Sequence, residues 1–164
     1  MIRFVVLAFL VACGPGVKGG PTMNNKIGGG NEVEAPKSAV VSADILARDP
    51  MANQVEVKHI LIGWKSVGRD GKPSDDRAKT REKVEAEAIV KTILAKLKDK
   101  AEFEPLMKEF SEDPGSAKNT MSYNIKYDNV DFDTDFRMMS IRLHVDEIGV
   151  AESQFGFHII KRVQ

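Results

Sequence analysis

The side chains able to do chemistry in this 164-residue chain are few, and their spacing excludes more than it offers. There is one cysteine, Cys13, and there are three histidines, His59, His144 and His158, none at short spacing. Structural zinc takes four such ligands at short intervals, so zinc is excluded, and a lone cysteine closes no internal disulfide. His59 and His158 each lie inside an apolar, β-branched run, Val57-Lys58-His59-Ile60-Leu61-Ile62 and Phe157-His158-Ile159-Ile160. Histidines so placed are either hydrogen-bonded within a core or held there as site groups, and the residues alone leave both readings open. Asp113 directly precedes Pro114, the pattern of an aspartate N-cap with proline at the first helical position; capping does not prevent the same carboxylate from serving a site. With 24 basic against 24 acidic side chains, interleaved, the chain has no one-signed field to gather phosphates, and nucleic acid is excluded as a partner. No metal, nucleotide or other cofactor is implied.

The elements that must position these groups lie between Val55 and Gln164, enough chain for one small core. Val55 to Ile62 alternates and then turns continuously apolar, as a strand entering a core does. Gly63 to Asp76 is polar and turn-rich. Thr80-Arg81-Glu82 caps a helix whose Ala86, Ile89, Val90, Ile93 and Leu97 recur at helical spacing. A second helix carries Phe103, Leu106, Met107 and Phe110, with Pro105 tolerated in its first turn. An irregular segment follows, then a helix over Phe136 to Leu143, a short strand over Glu147 to Ala151 and a terminal strand over Phe157 to Val163. No repeated strand-helix-strand crossover occurs, so the order predicts an α+β fold with a mostly antiparallel sheet.

Before this domain, Met1 to Ala12 is one positive charge followed by an unbroken apolar run, too short to span a bilayer and built like an export signal. Its ending, Leu10-Val11-Ala12-Cys13, resembles the bacterial lipobox, in which the cysteine is lipidated and becomes the first mature residue. Several acyl chains on Cys13 would anchor the protein to a membrane without crossing it. Residues 13–54, rich in Gly, Pro, Asn and Ser, read as a flexible tether. Gly14 after Cys13 resembles lipoproteins not retained at the inner membrane, so the expected location is the bacterial cell envelope, at the outer membrane or periplasmic face.

Three segments then stand together: Val57-Lys58-His59-Ile60-Leu61-Ile62, Phe110-Ser111-Glu112-Asp113-Pro114-Gly115-Ser116-Ala117, and Gln154-Phe155-Gly156-Phe157-His158-Ile159-Ile160-Lys161. In order and spacing they resemble the signatures of parvulin-type peptidyl-prolyl cis-trans isomerases, and the resemblance covers nearly all of Val55 to Gln164. It implies a four-stranded, mostly antiparallel sheet flanked by helices. It also implies that His59 and His158 are the family's paired histidines on neighbouring central strands. Asp113 falls where parvulins carry cysteine or aspartate, and Ser153 at a hydroxyl-bearing position near the second histidine. Met121, Phe132, Phe136 and Phe155 would line the groove for the proline ring. Where the family has a Gly-Gly-Asp-Leu-Gly run, this chain has Lys118-Asn119-Thr120-Met121-Ser122, which implies a reshaped edge of the site. The acidic residues between Asp128 and Asp133 crowd the groove's mouth. Lys65, Arg69 and Lys72 fall in a loop where some parvulins recognise phosphorylated substrates, but Asp70, Asp75 and Asp76 dilute the cluster and a solvated loop is expected.

The activity implied is isomerisation of X-Pro bonds in unfolded, exported polypeptides by a membrane-tethered folding factor. The alternative is a parvulin-fold chaperone or proline-peptide binding module with weak or no activity.

Overall fold

The computed structural model describes residues 38–164; the signal over 1–12 and Cys13 lie outside the described residues. Four antiparallel strands form one sheet: β1 (Gln54–Ile62), β2 (Tyr123–Lys126), β3 (Ile148–Ser153) and β4 (Gly156–Arg162), in the order β2-β1-β4-β3. The expected α+β class holds. β1 and β4 are central because their runs of Ile, Leu and Phe can be covered on both faces, and β1 is buried without a break from Ile60 to Ile62.

Alternation along the strands divides the core in two. Ile60, Ile62, Phe157 and Ile159 point to one face, where α2 (Lys83–Lys98) contributes Ala86, Val90 and Ile93, and α3 (Phe103–Phe110) contributes Phe103, Leu106 and Met107. Val57, Ala151 and Ile160 point to the other, against Phe136 and Met139 of α5 (Thr134–Ser140) and Ile141 and Leu143 beyond it. Since His59 lies two residues from Val57 and His158 is paired with both Leu61 and Ala151, both histidines belong to this second face.

Several boundaries differ from the sequence expectations. Within the expected Thr80-Arg81-Glu82 segment it is Glu82 that caps α2: its side chain accepts from the Glu85 N–H, and the Glu85 carboxylate accepts from the Glu82 N–H at 2.7 Å. α5 starts at Thr134 because Asp133 accepts from Asp135 N–H, and it ends at Ser140. The segment expected to be irregular contains β2, an edge strand with only Ile125 buried, whose alternation is too brief to stand out. Of the tether expected over 13–54, residues 13–37 lie outside the described residues, and the remainder is folded. Residues 38–53 fold onto the sheet, with a one-turn helix α1 (Ala43–Leu46), Val40 in one core and Ile45 in the other. Ser42 donates its N–H to Val150 O at 2.9 Å and accepts from Val150 N–H through its hydroxyl at 3.0 Å. These bonds cover the exposed edge of β3, work that composition alone does not reveal.

Candidate active site

β2 pairs with β1 only as far as Val57, so beyond that point the same side of β1 is open to another segment. Ser111 and Glu112 fill it. Leu61 N–H donates to Ser111 Oγ at 3.2 Å, Glu112 N–H to Leu61 O at 2.9 Å, and Gly63 N–H to Glu112 Oε2 at 2.7 Å. Glu112 is buried, and Arg81 neutralises it, its Nη1 2.5 Å from Glu112 Oε1 and 2.9 Å from Gly63 O. A buried carboxylate is tolerated only with such a partner. The consequence is positional: the residue after Glu112 is held alongside β1 at the level of His59.

That residue is Asp113. It caps α4 (Pro114–Asn119) by accepting from Ser116 N–H at 2.8 Å, as its Asp-Pro sequence implies. The same Oδ2 accepts from the Tyr123 hydroxyl at 2.6 Å and faces His59 Nε2 at 3.6 Å. His59 Nδ1 is 3.2 Å from His158 Nδ1, and His158 Nε2 is 2.7 Å from Ser153 Oγ. Ser153 also accepts from the Phe155 N–H at 3.0 Å.

With both imidazoles neutral, one proton arrangement satisfies this whole chain of groups. Ser153 donates to His158 Nε2, His158 Nδ1–H donates to His59 Nδ1, and His59 Nε2–H points toward the carboxylate. The reverse assignment would set a nitrogen lone pair against Asp113 Oδ2. The line from Ser153 to Asp113 is thereby oriented by the charge at its end. Burial, and then repulsion from His59 whenever that ring is protonated, hold His158 well below the usual imidazole range, against the opposing pull of Asp113. Burial alone would raise Asp113, but the donors His59, Tyr123 and Ser116 N–H outweigh it, holding the carboxyl well below the usual range. Burial and the adjacent carboxylate push the Tyr123 hydroxyl up to about 12.

The apolar wall stands on the same face. The Phe136 ring lies 5.1 Å from His59 and 5.0 Å from His158. Phe132 stacks on it at 5.9 Å and meets Tyr123 edge-on at 6.1 Å. Of the residues picked from sequence, the structure therefore brings together His59, Asp113, Ser153, His158, Phe132 and Phe136. Met121 is half exposed at the Asp113 end, its Sδ 3.6 Å from where a Cβ on Gly115 would stand. Phe155 lies in the β3–β4 turn and is tied to Ser153 by its backbone; among the described residues no ring contact joins it to Phe132 or Phe136. Ser153 is buried, with its hydroxyl held against His158 Nε2.

Tyr123 was not among the sequence candidates. The signal for it was the alternation Tyr123-Asn124-Ile125-Lys126, the mark of a short half-buried strand. In the loop after β1, Lys65 sits 2.5 Å from Glu82, Asp75 binds Arg77 and Asp76 binds Lys79.

A family model described as the PPIC-type PPIASE domain matches residues 43–164. Among solved structures, the fold is similar to the peptidyl-prolyl isomerase ESS1 from Candida albicans (TM-score 0.59, 23% identity), covering 68% of this chain and 63% of that one. It is also similar to the peptidylprolyl isomerase PrsA from Bacillus cereus (TM-score 0.51, 24% identity, 71% of this chain and 36% of that one). A third similar structure is the PPIase domain of TbPar42 (TM-score 0.55, 27% identity, 67% of this chain and 99% of that one). The chain thus spans less than two thirds of the length of the Candida and Bacillus proteins. No curated protein sequence matches it.

Proposed function

The chain belongs to the PPIC-type, parvulin family of peptidyl-prolyl isomerases, and from that premise we propose that it accelerates cis-trans exchange of X-Pro bonds at the Asp113–His59 face. The uncatalysed barrier of about 18–20 kcal/mol is the loss of amide resonance, and exchange takes tens to hundreds of seconds. No bond is made or broken, so catalysis consists of fitting the twisted amide better than the planar one. A thousandfold gain takes about 4 kcal/mol.

The observation that carries this reading is the buried line Ser153–His158–His59, which ends at a part-exposed carboxylate beside an aromatic wall. In this reading, Phe132 and Phe136 hold the pyrrolidine ring and keep water from the amide. Twisting returns electron density from the amide oxygen to its nitrogen. A fixed negative charge near that oxygen therefore disfavours the planar form more than the twisted one. The histidine pair keeps the carboxylate in place and ionised.

The substrates in this proposal are proline-containing segments of unfolded, exported proteins, met by a domain tethered to a membrane through lipidated Cys13. That part rests on the Leu10-Val11-Ala12-Cys13 ending of the apolar run, and intact-mass analysis of membrane-extracted protein tests it: an unmodified or missing Cys13 refutes the anchor. A second reading, a proline-peptide binding module with little activity, is favoured by one observation. The Lys118–Ser122 segment leaves Met121 half exposed, and Thr120 takes the left-handed conformation (φ 49°) without a glycine. Cis-to-trans rates of a panel of X-Pro peptides with the full chain, and with Asp113→Ala and Phe136→Ala variants of verified fold, separate the two. Acceleration that falls in both variants supports the isomerase. Peptide binding that depends on Phe136 without acceleration supports the module.

A further inference from the structure

The hydroxyl of Tyr123 reaches the site through a gap that the neighbouring sequence leaves for it. Oδ2 of Asp113 takes three neighbours at once, the Tyr123 O–H at 2.6 Å, the Ser116 N–H at 2.8 Å and His59 Nε2 at 3.6 Å. Oδ1 has no hydrogen-bond partner among the described residues, although the Asp113 side chain is one quarter exposed. The tyrosine ring is itself fixed on two sides, edge-on to His59 at 5.1 Å and edge-on to Phe132 at 6.1 Å. Its backbone is fixed by pairing with Val57 across β1. A Cβ on Gly115 would stand 2.5 Å from the Tyr123 hydroxyl and 3.3 Å from Asp113 Oδ2, so any larger residue at 115 displaces the hydroxyl. Gly115 has an ordinary helical backbone and is needed here for space rather than for conformation.

We propose that Tyr123 is a positioning residue of the isomerase site, its hydroxyl pinning Asp113 Oδ2 toward His59 and leaving Oδ1 as the carboxylate atom offered to the bound peptide. Tyr123 stands just after the segment that replaces the family's glycine run, and it supplies from β2 a constraint on the carboxylate that His59 at 3.6 Å is too far to impose alone. The hydroxyl stays protonated throughout the working pH range, as its position near 12 requires of a donor.

This inference rests on the isomerase reading, so its test carries one readout that needs no activity. In the full chain, Tyr123→Phe keeps the ring and removes the hydroxyl. The Asp113 carboxyl, followed by ¹³C NMR, then titrates at higher pH than in the native protein, because a donor to its ionised form is gone. The acid limb of kcat/KM moves up in the same direction, and the plateau falls about tenfold, the size of one hydrogen bond to a charged group. Gly115→Ala reproduces both changes by pushing the hydroxyl away, and adding it to Tyr123→Phe produces no further loss. An unchanged carboxyl titration in Tyr123→Phe, or losses from the two substitutions that simply add, would overturn the proposal. If the native chain shows no isomerase activity, the function fails while the carboxyl titration still decides whether Tyr123 sets the state of Asp113.

Discussion

Lowering the pH from 7 to 5 should weaken the fold through His158. This imidazole is 5% exposed, with Nδ1 facing His59 and Nε2 bonded to Ser153, so a second proton would place a positive charge away from water. Its folded-state pKa is depressed, first by burial and then by His59, while in the unfolded chain it titrates near 6.5. The sign follows directly. Between the folded and unfolded values the unfolded state binds one proton more, so stability is full above about pH 6.5 and is lost as pH falls toward the folded value. Integrating that single proton from pH 7 to pH 5 gives a loss of at most about 2 kcal/mol, with a limiting slope of about 1.4 kcal/mol per pH unit. Asp113 adds nothing in this window, because its depressed carboxyl contributes stability that is lost only as pH falls below the ordinary carboxylate range. Urea unfolding of the full chain across this range should show the decline in the native protein and little of it in His158→Asn. The imidazole signals of His158 in the native protein should stay flat over the same range, a readout that survives if the variant folds poorly. Equal pH dependence in both proteins, or a His158 titration near 6.5, would refute the reasoning.

Asp113→Asn keeps an N-cap for α4, since asparagine caps as well as aspartate, but removes the charge that faces His59. Its thermal stability should stay close to native while kcat/KM drops by about 10- to 100-fold; equal losses in both would mean that Asp113 is only structural. Thr120→Gly relieves a β-branched residue held at φ 49° at the end of α4, and should raise stability by about 1 kcal/mol in urea or thermal melts. A lower melting temperature would show that the Thr120 hydroxyl bond to Asn119 O matters more than the strain. Glu112→Gln leaves the Arg81 guanidinium short of its buried partner and should cost about 3 kcal/mol or more, read from the urea midpoint; a change below 1 kcal/mol would mean that water reaches the pair.

The parts of this molecule that were legible in its sequence are those where a period and a burial coincide. β1 and β4 could be read because Ile, Leu and Val runs mark strands covered on both faces, and α2 because Ala86, Val90 and Ile93 repeat on one side of a long helix. Asp113 announced its place through local chemistry, an acceptor before a proline, and the structure finds it capping α4. What stayed hidden depends on partners far away in sequence. β2 has one buried residue, and its pairing with β1 is what makes it a strand. Val40 and Ile45 looked like part of a tether because their contacts lie in cores built by residues far along the chain. Tyr123 entered the site only because Ser111 and Glu112 bring Asp113 beside β1, a placement fixed by a buried Arg81–Glu112 pair with no local pattern.

The claim at the centre of this account is that one face of the sheet binds an X-Pro segment and speeds its exchange. Exchange NMR of a short labelled Ala-Pro peptide with catalytic amounts of the full chain tests it most directly, because it reports binding and isomerisation in one sample. The account predicts cis-trans exchange cross-peaks that appear only with protein, accompanied by shifts at Asp113, Tyr123, Phe132 and Phe136, and their loss in Phe136→Ala of verified fold. Exchange that is absent with the native chain, or that persists undiminished in that variant, would contradict it.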